Sequence, residues 1–98
     1  MPTTYLVTRH PGALDWAQQN GIAYDQHLPH LDPALIQPGD RVIGSLPVHL
    51  AAQVCARQGR YFNLSLDLPA HLRGQELNAA TLATHQARLE EFHVQQLP

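Results

Sequence analysis

Apolar residues fall in short blocks along this chain, and the blocks alternate between the period of a strand and the period of a helix. Thr4-Tyr-Leu-Val-Thr-Arg9 is continuous and β-rich, as a buried parallel strand is. A helix is predicted from about Pro11 to Asn20, ended by Gly21, with Leu14, Trp16 and Ala17 on its apolar side. A second strand covers Ala23 to Leu28. Pro29 to Gly39 is a proline-containing connection with a helical turn over Pro33–Ile36. The stretch Asp40–Gly59 is the most informative. Pro38-Gly-Asp40 turns the chain into a strand over Arg41–Leu46, and Pro47 sits in the first turn of a helix, where its missing N–H costs nothing. Ser45 brings a hydroxyl near that helix start, and Gly59 is expected to end the helix as a left-handed cap.

The second helix is apolar at Val48, Leu50, Ala51, Ala52, Val54, Cys55 and Ala56; only His49, Gln53 and Arg57, four apart, form a polar stripe. A helix so patterned is expected to be buried on most sides, by a sheet and by a second subunit. The fourth strand, Arg60–Asp67, puts Tyr61, Asn63, Ser65 and Asp67 on one face and Phe62, Leu64 and Leu66 on the other. Leu68–Glu76 reads as a loop carrying His71, Arg73 and Gly74. The last helix starts at the N-cap Asn78, with Leu82, Leu89 and Phe92 on one side, and Phe92–Leu97 adds a short edge strand.

Alternating strands and helices define an α/β fold: a small Rossmann-like, flavodoxin-like parallel sheet of four to five strands with helices on both faces. With the strand order 2-1-3-4, the first and third strands are neighbours whose helices go to opposite faces, and a crevice opens at their carboxyl ends. Thr8-Arg9-His10-Pro11-Gly12 and Gly44-Ser45-Leu46-Pro47-Val48-His49 would line it. Residues 1–98 are expected to form one domain.

Composition narrows the function. The net charge of −2 disfavours broad binding to duplex DNA or RNA. All six basic side chains are arginine, the better bidentate phosphate ligand, although a GC-rich genome would also remove lysine. No apolar run approaches the roughly 18 residues of a membrane span, and Met-Pro-Thr-Thr-Tyr5 lacks signal-peptide character, so the expected location is the cytoplasm. The lone Cys55 reads as a small buried hydrophobe.

Both predicted turns lead into helix N-termini, which favour anions. Neither has the glycine spacing of a Walker loop or a dinucleotide fingerprint, so ATP and NAD are disfavoured and no cofactor is expected. Arg9 can hold a phosphate, His10 can exchange protons near neutral pH, and Ser45 and His49 can face the same space. The plainer alternative is that His10 and Ser45 only cap helices. His27 and His30 have no cysteine or acidic pair to complete a zinc set, so no metal is expected. His71 shares a loop with Arg73, His85 reads as an interface or core residue, and Asp67 either orients a ligand or caps the next loop.

The blocks Thr8–Ala13, Gly39–Ala52 and Arg73–Leu77 together resemble a small family of CRISPR-associated ancillary proteins encoded with type III systems, across nearly the whole chain. The resemblance implies a Rossmann-like homodimer acting on cyclic oligoadenylate second messengers. It implies a ring nuclease that linearises cyclic tetra-adenylate and so ends the antiviral signal. In metal-independent ring cleavage the ribose 2′-hydroxyl attacks the adjacent phosphate, giving a 2′,3′-cyclic phosphate and a free 5′-hydroxyl. Arg9 and His10 are then the catalytic candidates. Thr8, Gly44, Ser45, Leu46, His49 and, from a covering loop, Arg73 are the substrate-binding ones. A binding protein that sequesters or senses the ring uses the same pocket without cutting it. A structural subunit of the CRISPR machinery is the third reading; it predicts that Arg9→Ala is harmless and that changes near Gln53 are not.

Overall fold

The computed structural model describes residues 1–72, 74 and 78–98. Its centre is one five-stranded sheet in the order β2-β1-β3-β4-β5. The strands are β1 (Thr4–Val7), β2 (Gln26–Leu28), β3 (Arg41–Gly44), β4 (Arg60–Ser65) and β5 (Arg88–Phe92). The first four run parallel, and β5 returns antiparallel along β4 with Leu64 opposite Leu89 and Tyr61 opposite Phe92. The expected 2-1-3-4 order is therefore present. The helices are α1 (Pro11–Gln19), α2 (Val48–Ala56) and α3 (Ala79–Thr84), with 3-10 turns at Pro33–Leu35 and Ala70–Leu72.

Period-two alternation divides the strand residues between two cores. Leu6 and Ile43 join Ala13, Trp16 and Ala17 of α1 and Ala79 and Leu82 of α3, with Phe62, Leu64 and Leu66 packed alongside. Tyr5, Val7, Val42 and Tyr61 point the other way, onto Ala51, Val54 and Cys55 of α2 and onto Leu31 and Ile36 of the long connection. Both faces are covered, as a parallel sheet requires. The alternation read for β4 holds through Ser65.

Each helix ends the same way, and here the sequence reading needs correction. The amide two positions past the C-cap reaches back to the helix: Ile22 to Ala17, Gly59 to Val54 and Ala87 to Leu82. The residue before each of these amides is left-handed: Gly21 (φ 66°), Gln58 (φ 65°) and Gln86 (φ 60°). Gln58, not Gly59, is thus the left-handed cap of α2. Gly59 is glycine for a different reason: a Cβ there would lie 2.7 Å from Ile36 Cγ2 and 2.9 Å from Val54 Cγ1.

The cap at Gln86 also ends α3 two turns before the expected limit. Leu89 and Phe92 belong to β5, not to the last helix, and the edge strand is Arg88–Phe92 rather than Phe92–Leu97. At the start of α3, Asn78 caps as predicted: its Oδ1 accepts from Thr81 N at 2.8 Å. Other shifts are smaller. β2 begins at Gln26, β3 stops at Gly44, β4 stops at Ser65, and Pro47 stands just outside α2 at its N-cap position. Val48, His49, Gln53 and Ala56 are exposed, so within one chain α2 is buried along one side only.

A buried carboxylate holds the pole where β1 and β3 begin. Asp40 accepts from Thr3 N through Oδ1 and from Gln37 N through Oδ2, both at 2.9 Å, while Gly39 turns the chain at φ 87°. These bonds satisfy amides of the chain start and of the turn into β3, and they fix the register from which both strands run toward the opposite pole.

Candidate functional site

At that opposite pole β1 and β3 end side by side, and their chains leave to opposite faces of the sheet, α1 to one and α2 to the other. A cleft of about 560 Å³ opens there. This is the switch-point location predicted from strand order. Gly44 sets how closely the two strand ends approach: a Cβ at this position would lie 2.5 Å from the carbonyl oxygen of Val7.

The β1–α1 turn contributes Thr8, Arg9 and His10 to the cleft. Thr8 is spent on shaping the turn. Its N–H donates to Leu28 O at 3.0 Å, its Oγ1 accepts from His10 N at 3.1 Å, and its carbonyl oxygen lies 2.8 Å from His27 Nε2. His10 occupies the N-cap position of α1, but its side chain makes no capping bond; the backbone carbonyl alone receives Ala13 N. Capping therefore does not account for the imidazole. Both Arg9 and His10 are exposed, and among the described residues neither side chain has a hydrogen-bond or ion-pair partner.

The β3–α2 turn contributes Gly44, Ser45, Leu46 and Pro47. It is held from below by β4. Tyr61 Oη accepts the amide of Leu46 at 2.9 Å, and its own proton faces the Gly44 carbonyl and Asn63 Oδ1; Asn63 in turn donates to Ser65 Oγ at 2.8 Å. Burial pushes the Tyr61 phenol above its ordinary pKa, and the Leu46 amide partly offsets the rise. The hydroxyl stays protonated and remains a donor. Ser45 does not cap α2: its Oγ donates to Leu64 O at 3.1 Å, across to the next strand. The floor between the turns is apolar, with Leu6, Leu64, Leu66 and Leu82 the main contributors.

Other residues singled out from sequence lie elsewhere. His49 is exposed on α2 outside the cleft lining; Leu50, one position on and about 100° around the helix, lines it instead. Arg73 lies outside the described residues. His71, in the turn Ala70–Leu72, is not among the lining residues, and Asp67 is exposed, 3.4 Å from Arg88 Nη1. The cleft also contains Pro29, His30 and Leu31, from the end of β2. Sequence reasoning passed over His30 because it weighed the residue only as a metal ligand. The signal was available: in a 2-1-3 order, the end of β2 reaches the same pole. Among the described residues, no three His, Cys, Asp or Glu side chains cluster closely enough to hold a metal ion. Among the described residues, no helix is long and apolar enough to cross a membrane.

Fold and cleft define a small α/β protein, mostly parallel in its sheet, with a ligand-sized opening at its switch point. The chain belongs to a family of CRISPR-associated proteins: residues 5–95 match the family model described as "Putative CRISPR-associated protein (Cas_VVA1548)". No curated protein and no solved structure matches it.

Proposed function

We propose that this CRISPR-associated protein is a ring nuclease that linearises cyclic oligoadenylate, most naturally cyclic tetra-adenylate, by metal-independent attack of a ribose 2′-hydroxyl. The observation that carries this reading is the pair Arg9–His10 at the switch-point cleft, with neither side chain committed to another described residue. Ring opening of this kind needs alignment of the 2′-oxygen, phosphorus and 5′-oxygen, a cation for the charge that develops on phosphate, and a proton for the leaving oxygen. Arg9 supplies the cation and His10 the proton. Ser45 and the main chain of Gly44 and Leu46 form the facing wall, and the leucine floor offers a surface for adenine to pack on.

The cleft volume is in the small-molecule range of roughly 300–1,000 Å³, room for part of a four-nucleotide ring. A two-fold homodimer would present two such clefts to a ring of matching symmetry. One observation favours a second reading, binding without cleavage: among the described residues, most of those lining the cleft are apolar. Both readings predict a protein that takes up the ring, and turnover separates them.

The deciding experiment incubates the purified protein with cyclic tetra-adenylate in EDTA and resolves the products by chromatography, with Arg9→Ala and His10→Ala alongside. Linear products ending in a 2′,3′-cyclic phosphate, lost in both variants, are expected. An intact ring that co-elutes with the protein would replace the enzyme with a sponge or sensor. A ring neither cut nor bound would remove the nucleotide reading altogether.

A further inference from the structure

The cleft holds two imidazoles, and the reaction as assigned above uses one. His10 and His30 both line it, from the ends of neighbouring strands β1 and β2, and among the described residues neither ring has a hydrogen-bond partner. The third histidine of this pole, His27, is already engaged with its Nε2 on the Thr8 carbonyl.

His30 also does not sit on a slack loop. Leu28 before it is tied into the sheet by the Thr8 amide, and Leu31 after it is buried in the core beneath α2. Asp32 then anchors the next turn by accepting Ala34 N at 3.0 Å. Only Pro29 and His30 span the gap between the two fixed points, and Pro29 has a restricted φ. An exposed polar residue on a short, braced arc that faces a cleft is placed for chemistry rather than for solvation.

Resting on the ring-nuclease reading, we propose that His30 is a second catalytic residue, the base that takes the proton from the attacking 2′-hydroxyl. The step then balances. As the O2′–P bond forms and the P–O5′ bond breaks, the 2′ proton passes to the His30 imidazole. The His10 imidazolium gives its proton to the leaving 5′-oxygen. One proton moves in and one moves out, nothing is oxidised, and no water is consumed. Among the described residues, the charged or titratable groups lining the cleft with His30 are Arg9 and His10. The described residues of the β3–α2 turn, β4 and α3 that line it are serine, glycine, proline and leucine, and the nearby Asp32 carboxylate faces its own turn.

The test measures single-turnover linearisation of cyclic tetra-adenylate by wild type, His10→Gln, His30→Gln and, as a control outside the cleft, His93→Gln, from about pH 5 to 9. Affinity for the 2′-deoxy ring, which lacks the nucleophile, is measured in parallel. Wild type and His93→Gln should give a bell-shaped profile. His30→Gln should lose roughly 100-fold or more in rate, lose the acidic limb, and bind the 2′-deoxy ring as wild type does. His10→Gln should lose the alkaline limb instead. Full rate in His30→Gln, or a fall in rate with both limbs intact and affinity lost in step, overturns the base assignment and leaves the ring-nuclease reading standing. Absence of turnover in wild type brings down that reading itself, before any variant is consulted.

Discussion

Two turns at one end of this sheet begin from nearly the same sequence plan, a strand followed by a short polar stretch, a proline and a helix, yet they are built differently. The β1–α1 turn braces only its backbone: Thr8 fixes the chain through three contacts, and Arg9 and His10 are left projecting with no described partner. The β3–α2 turn is tied down by its side chains and from beneath, through Ser45 to Leu64 and Tyr61 to Leu46 and Gly44. One is a rigid mount for free functional groups, the other a wall. Charge at a cleft is informative when the backbone is held and the side chain is not.

The most severe way to break the contrast is to force the two turns apart. Gly44→Ala places a methyl against the Val7 carbonyl, backbone that cannot rotate away. A loss of roughly 3 kcal/mol is expected, read as a lowered urea midpoint. Unchanged stability would mean that the strand ends relax freely. Removing the free groups should do the reverse. Arg9→Ala is expected to lower linearisation by roughly 100-fold while unfolding stays within about 0.5 kcal/mol of wild type. A matching loss of stability would place Arg9 in the framework instead.

Tyr61→Phe tests the wall. It strips the acceptor from the Leu46 amide, with an expected cost of about 1–2 kcal/mol, and should weaken affinity for the ring while leaving the pH profile of cleavage in place. A changed profile would make the phenol part of the chemistry.

The smallest effect belongs to a region that touches neither turn. Arg60 forms a two-pronged ion pair with Glu91 at 2.8 and 2.9 Å on the exposed β4–β5 margin, and this hydrogen bond holds the Glu91 carboxyl below the usual carboxylate range. A depressed folded-state pKa contributes stability above the unfolded value, near 4.3, that is lost as pH falls through the lower folded one. Glu91→Gln should therefore cost a little at neutral pH and nothing in strong acid, by thermal melts across that range. The difference should shrink with salt because both groups are exposed.

The sheet order and the site of the cleft were legible because both follow from chain direction: alternating periods dictate parallel crossovers, and these dictate where two strand ends part. The same logic placed Arg9, His10, Ser45 and Leu46 at the cleft, and they line it. Helix ends were less legible. Glycine is the usual left-handed residue, yet Gln58 and Gln86 fill that role here, so the sequence signal pointed one position late at Gly59 and was absent at Gln86. That silence made β5 look like helix, since Leu82, Leu89 and Phe92 share a helical spacing by coincidence. His49 misled because successive helix positions point about 100° apart, and Leu50, not His49, faces the cleft. His30 was missed because its place at the cleft depends on a neighbouring strand rather than on neighbours in the chain.

The antiparallel course of β5 has a practical consequence. β1 starts, and β5 finishes opposite Tyr61, at the pole where Asp40 holds Thr3; beyond β5 the backbone is pinned again where the Val94 amide meets Cys55 Sγ at 3.4 Å. A fusion partner, an affinity tag or a sensor-chip tether joined ahead of Thr3 thus departs from the side facing away from the cleft. An immobilised binding assay can use that attachment point without the tether occluding the cleft.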